Sequence, residues 1–457
     1  MNVIVLVADS FRADHLGCYG NGWIRTPNLD RFASESALFK YSYPENIPTV
    51  PARVTWFTGQ YHFPFRGWQP FELDDTTLAE HLWSKGFRSA MITDVFHFHR
   101  PGFNITRGFD FVQFIRGQES DPFVLDQSIP VDMDRYHKHD GVDEKWTRQT
   151  MNYLRNRAHW KSEEDHFVAQ VVKAGMKWLD EIPARDNLFL WLDCFDPHEP
   201  WDPPAQYTEL YDPGYTGKEI INPIVRDVEG YLTPEELNHI RAMYAGEITL
   251  VDKWLGIFLD HLRAKGFFQN SIVVFTSDHG EPFGERGVIR KGRPWLYEEL
   301  MRIPFIVYVP DAKPLVSNAV AQTTDLMPTV LDFLQLETPD WVQGKSLLPV
   351  IRGEKDTLRD FACCGFYRQA WTIRNSKWAY TYYLAPQKPA SGFCPDKREL
   401  FHLTEDPQER HNAILDHPDV ADSLERALFR FVIDLQQKRV PPPTSLHPKW
   451  RRAKLTQ

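Results

Sequence analysis

Two periods of apolar residues run along this chain. Val3–Ala8 is an unbroken apolar, largely β-branched run that ends at Asp9, and Ser271–Thr276 is another that ends at Ser277-Asp278-His279. Such runs have no polar face and predict strands covered on both sides, as in a parallel sheet. Arg88–Thr93, Asn187–Leu192 and Pro304–Val309 predict three more. Between them the spacing lengthens to that of helices. Thr26–Ser36 carries a Pro near its start, where the missing N–H costs nothing. Ser162–Ile182 opens with a Ser-x-x-Asp cap and lines up Val168, Val171, Val172 and Leu179 on one face. Thr77–Lys85, Pro234–Leu262 and Asp325–Leu334 also predict helices. This alternation predicts an α/β fold, a mostly parallel sheet flanked by helices.

After about Gly353 the pattern changes. "AWTIRNSKWAYTYY" predicts paired antiparallel strands, and Pro418–Gln437 a closing helix. Residues 1–353 are therefore expected to form the catalytic domain, and residues 354–457 a smaller α+β subdomain ending in a Pro-rich, basic arm. The arm leaves open a homo-oligomer built through it. No internal repeat is present.

Charge narrows the function. A net charge of −10 gives no basic footprint for nucleic acid. An acidic chain that handles an anion needs locally placed positive charge. The five Cys form no pattern, which suits free thiols in a reducing compartment. The N-terminal apolar run is short, lacks a basic start and is broken by Asp9, unlike a signal peptide. No run approaches the ~20 apolar residues of a membrane span. The expectation is a cytoplasmic protein with no membrane partner.

Asp9 ends one buried strand and Asp278-His279 another. Ligands of open α/β sheets bind at the carboxyl ends of the strands. Two carboxylates and an imidazole meeting there make a metal site of oxygen and nitrogen donors, suited to one divalent ion, Mn²⁺ or Zn²⁺ first, with Ca²⁺ or Mg²⁺ as alternatives. A third segment, "NIPTVPARVTWFTG", places Pro51 in the first turn of a helix and Thr49 just before it. A helix N-terminus favours anions, and Arg53, one turn in, can reach back. A metal that also binds the Thr49 oxygen would make it an alkoxide nucleophile.

These residues carry a resemblance. "VLVADSFRADHLGCYGN", "TPNLDRFASES", "TVPARVTWFTG", "FTSDHGEPFGERG", "LYEELMRIPFIVY", "TTDLMPTVLDFL", "GKSLLP" and "ELFHLTEDPQERHNAI" resemble, in order and over nearly the whole chain, the sulfatase branch of the alkaline phosphatase superfamily. The resemblance implies metal ligands Asp9, Thr49, Asp278 and His279. It places Lys291 or Arg293 where the family has a Lys that grips the anion. It also places His198 near the bridging oxygen, and His97 or His99 as a pocket His. Three departures stand out. Sulfatases have Cys or Ser at the position of Thr49 and convert it to formylglycine, which Thr cannot become. Ser10 follows Asp9 where a second acid is common. The Pro-Ala-Arg sequence is similar to that of phosphonate monoester hydrolases, and other phosphorus-handling members use a plain Thr.

The nucleophile then argues for phosphorus. Formylglycine hydrate expels sulfate by collapsing to the aldehyde, whereas a Thr ester has no such exit. The expected activity is hydrolysis of a phosphodiester or phosphonate monoester through a covalent Thr49 intermediate. Thr49, Arg53, His198 and Lys291 are the expected catalytic residues, with Arg293 and His97 binding substrate. The alternatives are a sulfuric ester hydrolase acting without formylglycine and a phosphotransferase to an alcohol acceptor. A metal-binding relative without activity is disfavoured, because Asp9 and Asp278 are both present. The substrate is expected to be a small anionic ester, and the aromatic segment Trp56–Trp68 hints at an aryl leaving group.

Overall fold

The computed structural model describes residues 1–438 apart from 101, 139–143, 184, 367 and 385–396. The basic arm and Cys394 lie outside the described residues. Eight strands form the large sheet, in the order Leu315–Gln322, Ala37–Tyr43, Phe305–Tyr308, Ser271–Thr276, Asn2–Ala8, Leu188–Cys194, Arg88–Thr93, Phe111–Phe114. Phe305–Tyr308 runs against its neighbours and every other pairing is parallel. Asn2–Ala8 sits between Leu188–Cys194 and Ser271–Thr276, with Val7 paired to both Asp193 and Thr276.

Alternate residues of these strands feed two different cores, as a side-chain period of two requires. Ile4, Leu6, Leu190, Leu192, Val273 and Phe275 face one layer. Val3, Val5, Val7, Phe189, Trp191, Ile272 and Val274 face the other. The first layer is covered by Phe167–Glu181 and the 31-residue helix Pro234–Ala264, which starts on a Thr233–Glu236 capping box. The second is covered by Thr49–Thr58, Leu78–Ser84 and Leu326–Phe333. With apolar cover on both faces, polar groups collect where the parallel strands end.

The smaller sheet has the order Arg398–His402, Trp378–Tyr383, Ala370–Arg374, Ala362–Phe366, Asn46–Ile47. Its last strand comes from the segment leading into Thr49, so the two sheets are stitched together next to the nucleophile candidate. The helix Pro418–Lys438 packs on this sheet. The helix expected from Ser162 is broken. Ser162 and Asp165 close a capping box over a single 3₁₀ turn, and the chain restarts at Phe167 after an extended His166. The strands Ala37–Tyr43, Phe111–Phe114 and Leu315–Gln322 are additions to the five expected. Among the described residues no helix is long and apolar enough to cross a membrane.

Gly280 follows His279 directly, and its N–H donates to Leu300 O at 2.8 Å. A Cβ there would lie 2.1 Å from the Glu299 carbonyl oxygen. Because backbone cannot step aside as a side-chain tip can, Gly280→Ala is expected to cost about 1–3 kcal/mol. It should lower the urea midpoint. An unchanged midpoint would show that this loop yields freely.

Candidate active site

Three parallel strands and one helix deliver the site. Asp9 follows the central strand, Asp278 and His279 follow its neighbour on one side, and Asp193 is the penultimate residue of its neighbour on the other. All four are fully buried. Ligand atoms of Asp9, Asp278 and His279 lie within 4.8 Å of one another.

The backbone is bent to hold this geometry. Ser10 has φ 59°, an unusual value for a residue with a Cβ, costing roughly 1–2 kcal/mol. In return its N–H donates to Asp278 Oδ1 at 2.9 Å and its hydroxyl donates to Asp9 Oδ1 at 2.9 Å. His279 Nδ1 lies 2.7 Å from Gly280 O, which places the ring proton on Nδ1. Nε2 is then a lone pair, and it has no hydrogen-bond partner. Burial lowers the His279 pKa to about 4, so the imidazole is neutral and fit to ligate.

Thr49 is the first residue of the helix Thr49–Thr58, capped by Pro48, rather than the residue before it. Arg53, one turn on, is also fully buried. Its Nη1 donates back to Thr49 O at 3.3 Å and to Asp278 Oδ2, and stands 2.9 Å from Asp9 Oδ2. Nε and Nη2 clamp Asp193 at 3.2 and 2.6 Å. Asp193 also accepts from Trp191 Nε1 at 3.0 Å. Of the five guanidinium N–H groups, this leaves one on Nη2. Arg53, expected to grip the anion, is thus mainly the counterion of three carboxylates.

Lys291 and Arg293 separate clearly. Lys291 Nζ donates to Ser10 Oγ at 3.1 Å and to Glu281 Oε2 at 2.9 Å, and lies 3.6 Å from Glu199 Oε2. Arg293, expected as a substrate-binding residue, donates instead to Asp227 at 3.1 Å and lies over Trp295. The two-residue offset and the intervening Gly292 send the side chains apart. His198 is buried beside Phe195, with ring centroids 3.9 Å apart, and its Nδ1 lies 2.6 Å from Glu199 O. Burial first, then the charges of Lys291 and Arg290, hold its pKa well below the ordinary range. His97 lies edge-on to Trp68, and its Nε2 is 3.3 Å from Glu119 Oε2. His99 lies against Phe114, with centroids 3.6 Å apart and the rings tilted by 41°.

The charge balance of this cluster carries its chemistry. Among the described residues, Asp9, Asp193, Asp278, Glu199 and Glu281 pair with three enclosed Lys and Arg side chains, Arg53, Arg290 and Lys291. The surplus of two negative charges is that of one divalent ion. Burial and the neighbouring Asp278 raise the Asp9 pKa, while His279 and Arg53 outweigh burial to hold Asp278 below the ordinary range. Two carboxylates in one dry site split in this way unless more positive charge is present. Asp9 Oδ2 has no hydrogen bond despite its 2.9 Å approach to Arg53, whose N–H groups point elsewhere. That oxygen and His279 Nε2 are free ligand atoms, so the residues fit a metal.

Asp193, Asp196 and His198 do not form a second metal set. Asp193 is taken by Arg53, and Asp196 accepts from Gln118 Nε2 and Val168 N. Among the described residues, the other acidic group close enough to hold an ion is Glu72, Asp74 and Asp75, and Arg66 pairs with two of its members, Glu72 and Asp75. Sequence reasoning gave no role to Ser10, Glu199, Glu281 or Arg290, and did not pair Asp193 with Arg53. The signal for Asp193 was available, since "FLWLDCF" has one charge inside an otherwise apolar strand.

Comparison with known proteins gives the family and the fold. Residues 1–336 match the family model described as Sulfatase. The chain belongs to the sulfatase family. Residues 284–438 match the model described as N-sulphoglucosamine sulphohydrolase, C-terminal. An arylsulfatase of Clostridium perfringens is 28% identical over 392 residues, covering 79% of this chain and 80% of the relative. The multifunctional alkaline phosphatase superfamily protein PehA of Trinickia caryophylli is 26% identical over 407 residues, covering 77% of each. The fold is shared with the phosphonate monoester hydrolase of Agrobacterium radiobacter, with a TM-score of 0.73, 20% identity and coverage of 95% and 96%. It is shared equally with a structure bound to D-glucosamine-2-N,6-O-disulfate, with a TM-score of 0.73, 19% identity and coverage of 97% and 99%. As a sulfatase-family member this is an ester-bond hydrolase, and the match favours sulfate over the phosphorus esters that the nucleophile suggested.

If Arg53 is chiefly a counterion, its loss strands three buried carboxylates. Arg53→Met is expected to cost about 3–5 kcal/mol, as breaking a buried pair does. Thermal melts should show it. Wild-type stability with reduced activity would mean that Arg53 serves substrate alone.

Proposed function

We propose that this chain hydrolyses sulfuric esters. The observation that carries the proposal is the convergence of Asp9, Asp278 and His279 with Lys291 at the strand ends of a sulfatase-family fold. A sulfate monoester is a compact monoanion, and Lys291 supplies the cation that meets it. Two carboxylates, an imidazole and a hydroxyl suit a hard-to-borderline ion such as Mn²⁺ or Zn²⁺. When bound, that ion supplies Lewis-acid polarisation of the anion.

The chain's own groups then divide the work. Thr49 Oγ, at a helix N-terminus that favours negative charge, forms the bond to sulfur as the bond from sulfur to the leaving oxygen breaks. The proton that the Thr49 hydroxyl gives up goes to the leaving oxygen, which departs as the alcohol. Lys291 Nζ and the remaining Arg53 N–H meet the charge that builds on the sulfuryl oxygens. Water then forms its bond to sulfur as the Thr49 ester bond breaks. With the His198 proton on Nδ1, Nε2 is the acceptor that can take the water proton. Hydrogen sulfate leaves, and the proton held on His198 passes to the Thr49 oxygen.

One observation favours a second reading. Thr49 stands where sulfatases have a formylglycine precursor, and an ordinary hydroxyl lacks the aldehyde-forming exit. Phosphonate monoester hydrolysis accepts a plain Thr more readily, and it keeps the same ligand set.

A panel of 4-nitrophenyl sulfate, phenylphosphonate and phosphodiester esters, assayed with defined divalent ions, separates the readings. The sulfate ester should have the highest kcat/KM, by about tenfold or more. A higher kcat/KM on the phosphonate would overturn the proposal in favour of the second reading. Thr49→Ala should lose on the order of three decades in kcat, as removal of a covalent nucleophile does. Thr49→Ser should keep part of the rate. Equal activity of Thr49→Ala and wild type would remove Thr49 from the chemistry.

A further inference from the structure

Three contacts of the site depend on the left-handed backbone of Ser10, at φ 59°. Its N–H donates to Asp278 Oδ1 and its hydroxyl to Asp9 Oδ1, each at 2.9 Å, and the hydroxyl receives Lys291 Nζ at 3.1 Å. A residue with a Cβ stays in this region only where its surroundings over-determine it. The loop of Asp278 supplies part of that hold. Ser277 Oγ accepts from Phe11 N and donates to His279 O, both at 2.9 Å.

The other part comes from a side chain 234 residues away in sequence. Tyr244 Oη lies 2.8 Å from Ser10 O and 3.0 Å from Arg12 N. A carbonyl only accepts and an amide N–H only donates, so the roles are forced. The phenol donates to Ser10 O and accepts from Arg12 N, and one oxygen closes the turn from both ends. Burial raises the Tyr244 pKa well above its ordinary range, so the proton that the first bond needs stays in place.

Packing fixes that oxygen. Tyr244 belongs to the long helix Pro234–Ala264, with Ile240 and Ile248 buried one turn to either side. Its ring meets Phe283 with centroids 4.5 Å apart and lies edge-on to His15 at 5.2 Å and to Trp201 at 6.1 Å. Tyr244 and Ser10 are both fully buried, so bulk water is no substitute for the phenol. Without it Ser10 O and Arg12 N–H would lose a partner, which is costly for buried backbone. The turn would relax toward negative φ. The Ser10 N–H would then leave Asp278, and its hydroxyl would leave Asp9 and Lys291.

We propose that Tyr244 is a positioning residue: its hydroxyl locks Ser10 in the left-handed turn, and through Ser10 it aims the Asp9 and Asp278 carboxylates and seats Lys291. The effect on rate rests on the reading of the site as an ester hydrolase, whereas the hold on the backbone does not.

The test is a double-mutant cycle of Tyr244→Phe with Ser10→Gly on the full chain. Phe keeps the ring and removes the one oxygen. Gly adopts positive φ without strain, so it needs no lock, and it has no hydroxyl to misplace. In the wild-type background Tyr244→Phe should lower kcat/KM about tenfold, and in the Ser10→Gly background by less than about twofold, as expected when one residue acts through the other. Ser10→Gly should likewise about halve the Tm lost to Tyr244→Phe. Equal losses in both backgrounds would make Tyr244 an ordinary packing residue and overturn the proposal, and so would no loss in the wild-type background. Should Tyr244→Phe fail to fold, recovery of folding on adding Ser10→Gly supports the lock, and failure in both backgrounds overturns it. Rates are read on whichever of the 4-nitrophenyl sulfate and phenylphosphonate esters the wild type hydrolyses faster. Failure of the sulfate reading therefore leaves the cycle intact, and the melts need no substrate.

Discussion

A single buried guanidinium organises this molecule. Arg53 reaches three carboxylates that arrive on three adjacent strands, and it also binds the first carbonyl of its own helix. Neither the strands nor the helix can shift without uncovering charge in a place from which water is excluded. Removing ions from water costs several kcal/mol each, and attraction repays this only where geometry is close. The site is therefore set by electrostatic balance as much as by packing. The apolar cover on both faces of the sheet leaves the strand ends as the place where this polar cluster forms. Arg53 alone does not complete the balance, and the remaining negative charge is what a divalent ion would answer.

That constraint also explains the division between Lys291 and Arg53. A guanidinium committed to carboxylates has little left for substrate. Lys291, a point charge on a flexible stem, lies against Ser10 and Glu281 and remains the cation best placed to meet an anion. Ser10 occupies the position where a second acid is common in the family. Here it uses a left-handed backbone to turn its N–H toward Asp278 and its hydroxyl toward Asp9, while receiving Lys291. The departure from the family pattern at Ser10 thus has a structural job. The departure at Thr49 is different in kind, since Thr49 begins an intact helix and the change concerns the hydroxyl that the proposed chemistry would use.

The central strands were readable from Val3–Ala8 and Ser271–Thr276 because full burial leaves an unmistakable apolar run. Asp9, Asp278 and His279 followed from them, since residues after such runs fall at one edge of the sheet. The broken helix at His166 was not readable, because Ser162 and Asp165 satisfy a cap over one turn as well as over a long helix. Arg293 and Lys291 could not be separated by spacing alone. Their roles depend on the turn through Arg290, whose φ of 66° is a tertiary outcome. Arg53 was read as a substrate contact because sequence shows one charge at a time. Its partners lie 140 and 225 residues away.

The central claim is that buried charge at the strand ends is balanced by a divalent ion on Asp9, Asp278 and His279. The most direct measurement is the metal content of the purified chain after exhaustive dialysis, compared with Asp278→Asn. The account predicts about one divalent ion per wild-type chain, with retention at limiting metal reduced about tenfold or more in the variant, in line with the loss expected from a weakened ligand set. A wild-type chain that hydrolyses its ester at full rate while carrying no more than about a tenth of an ion would contradict it.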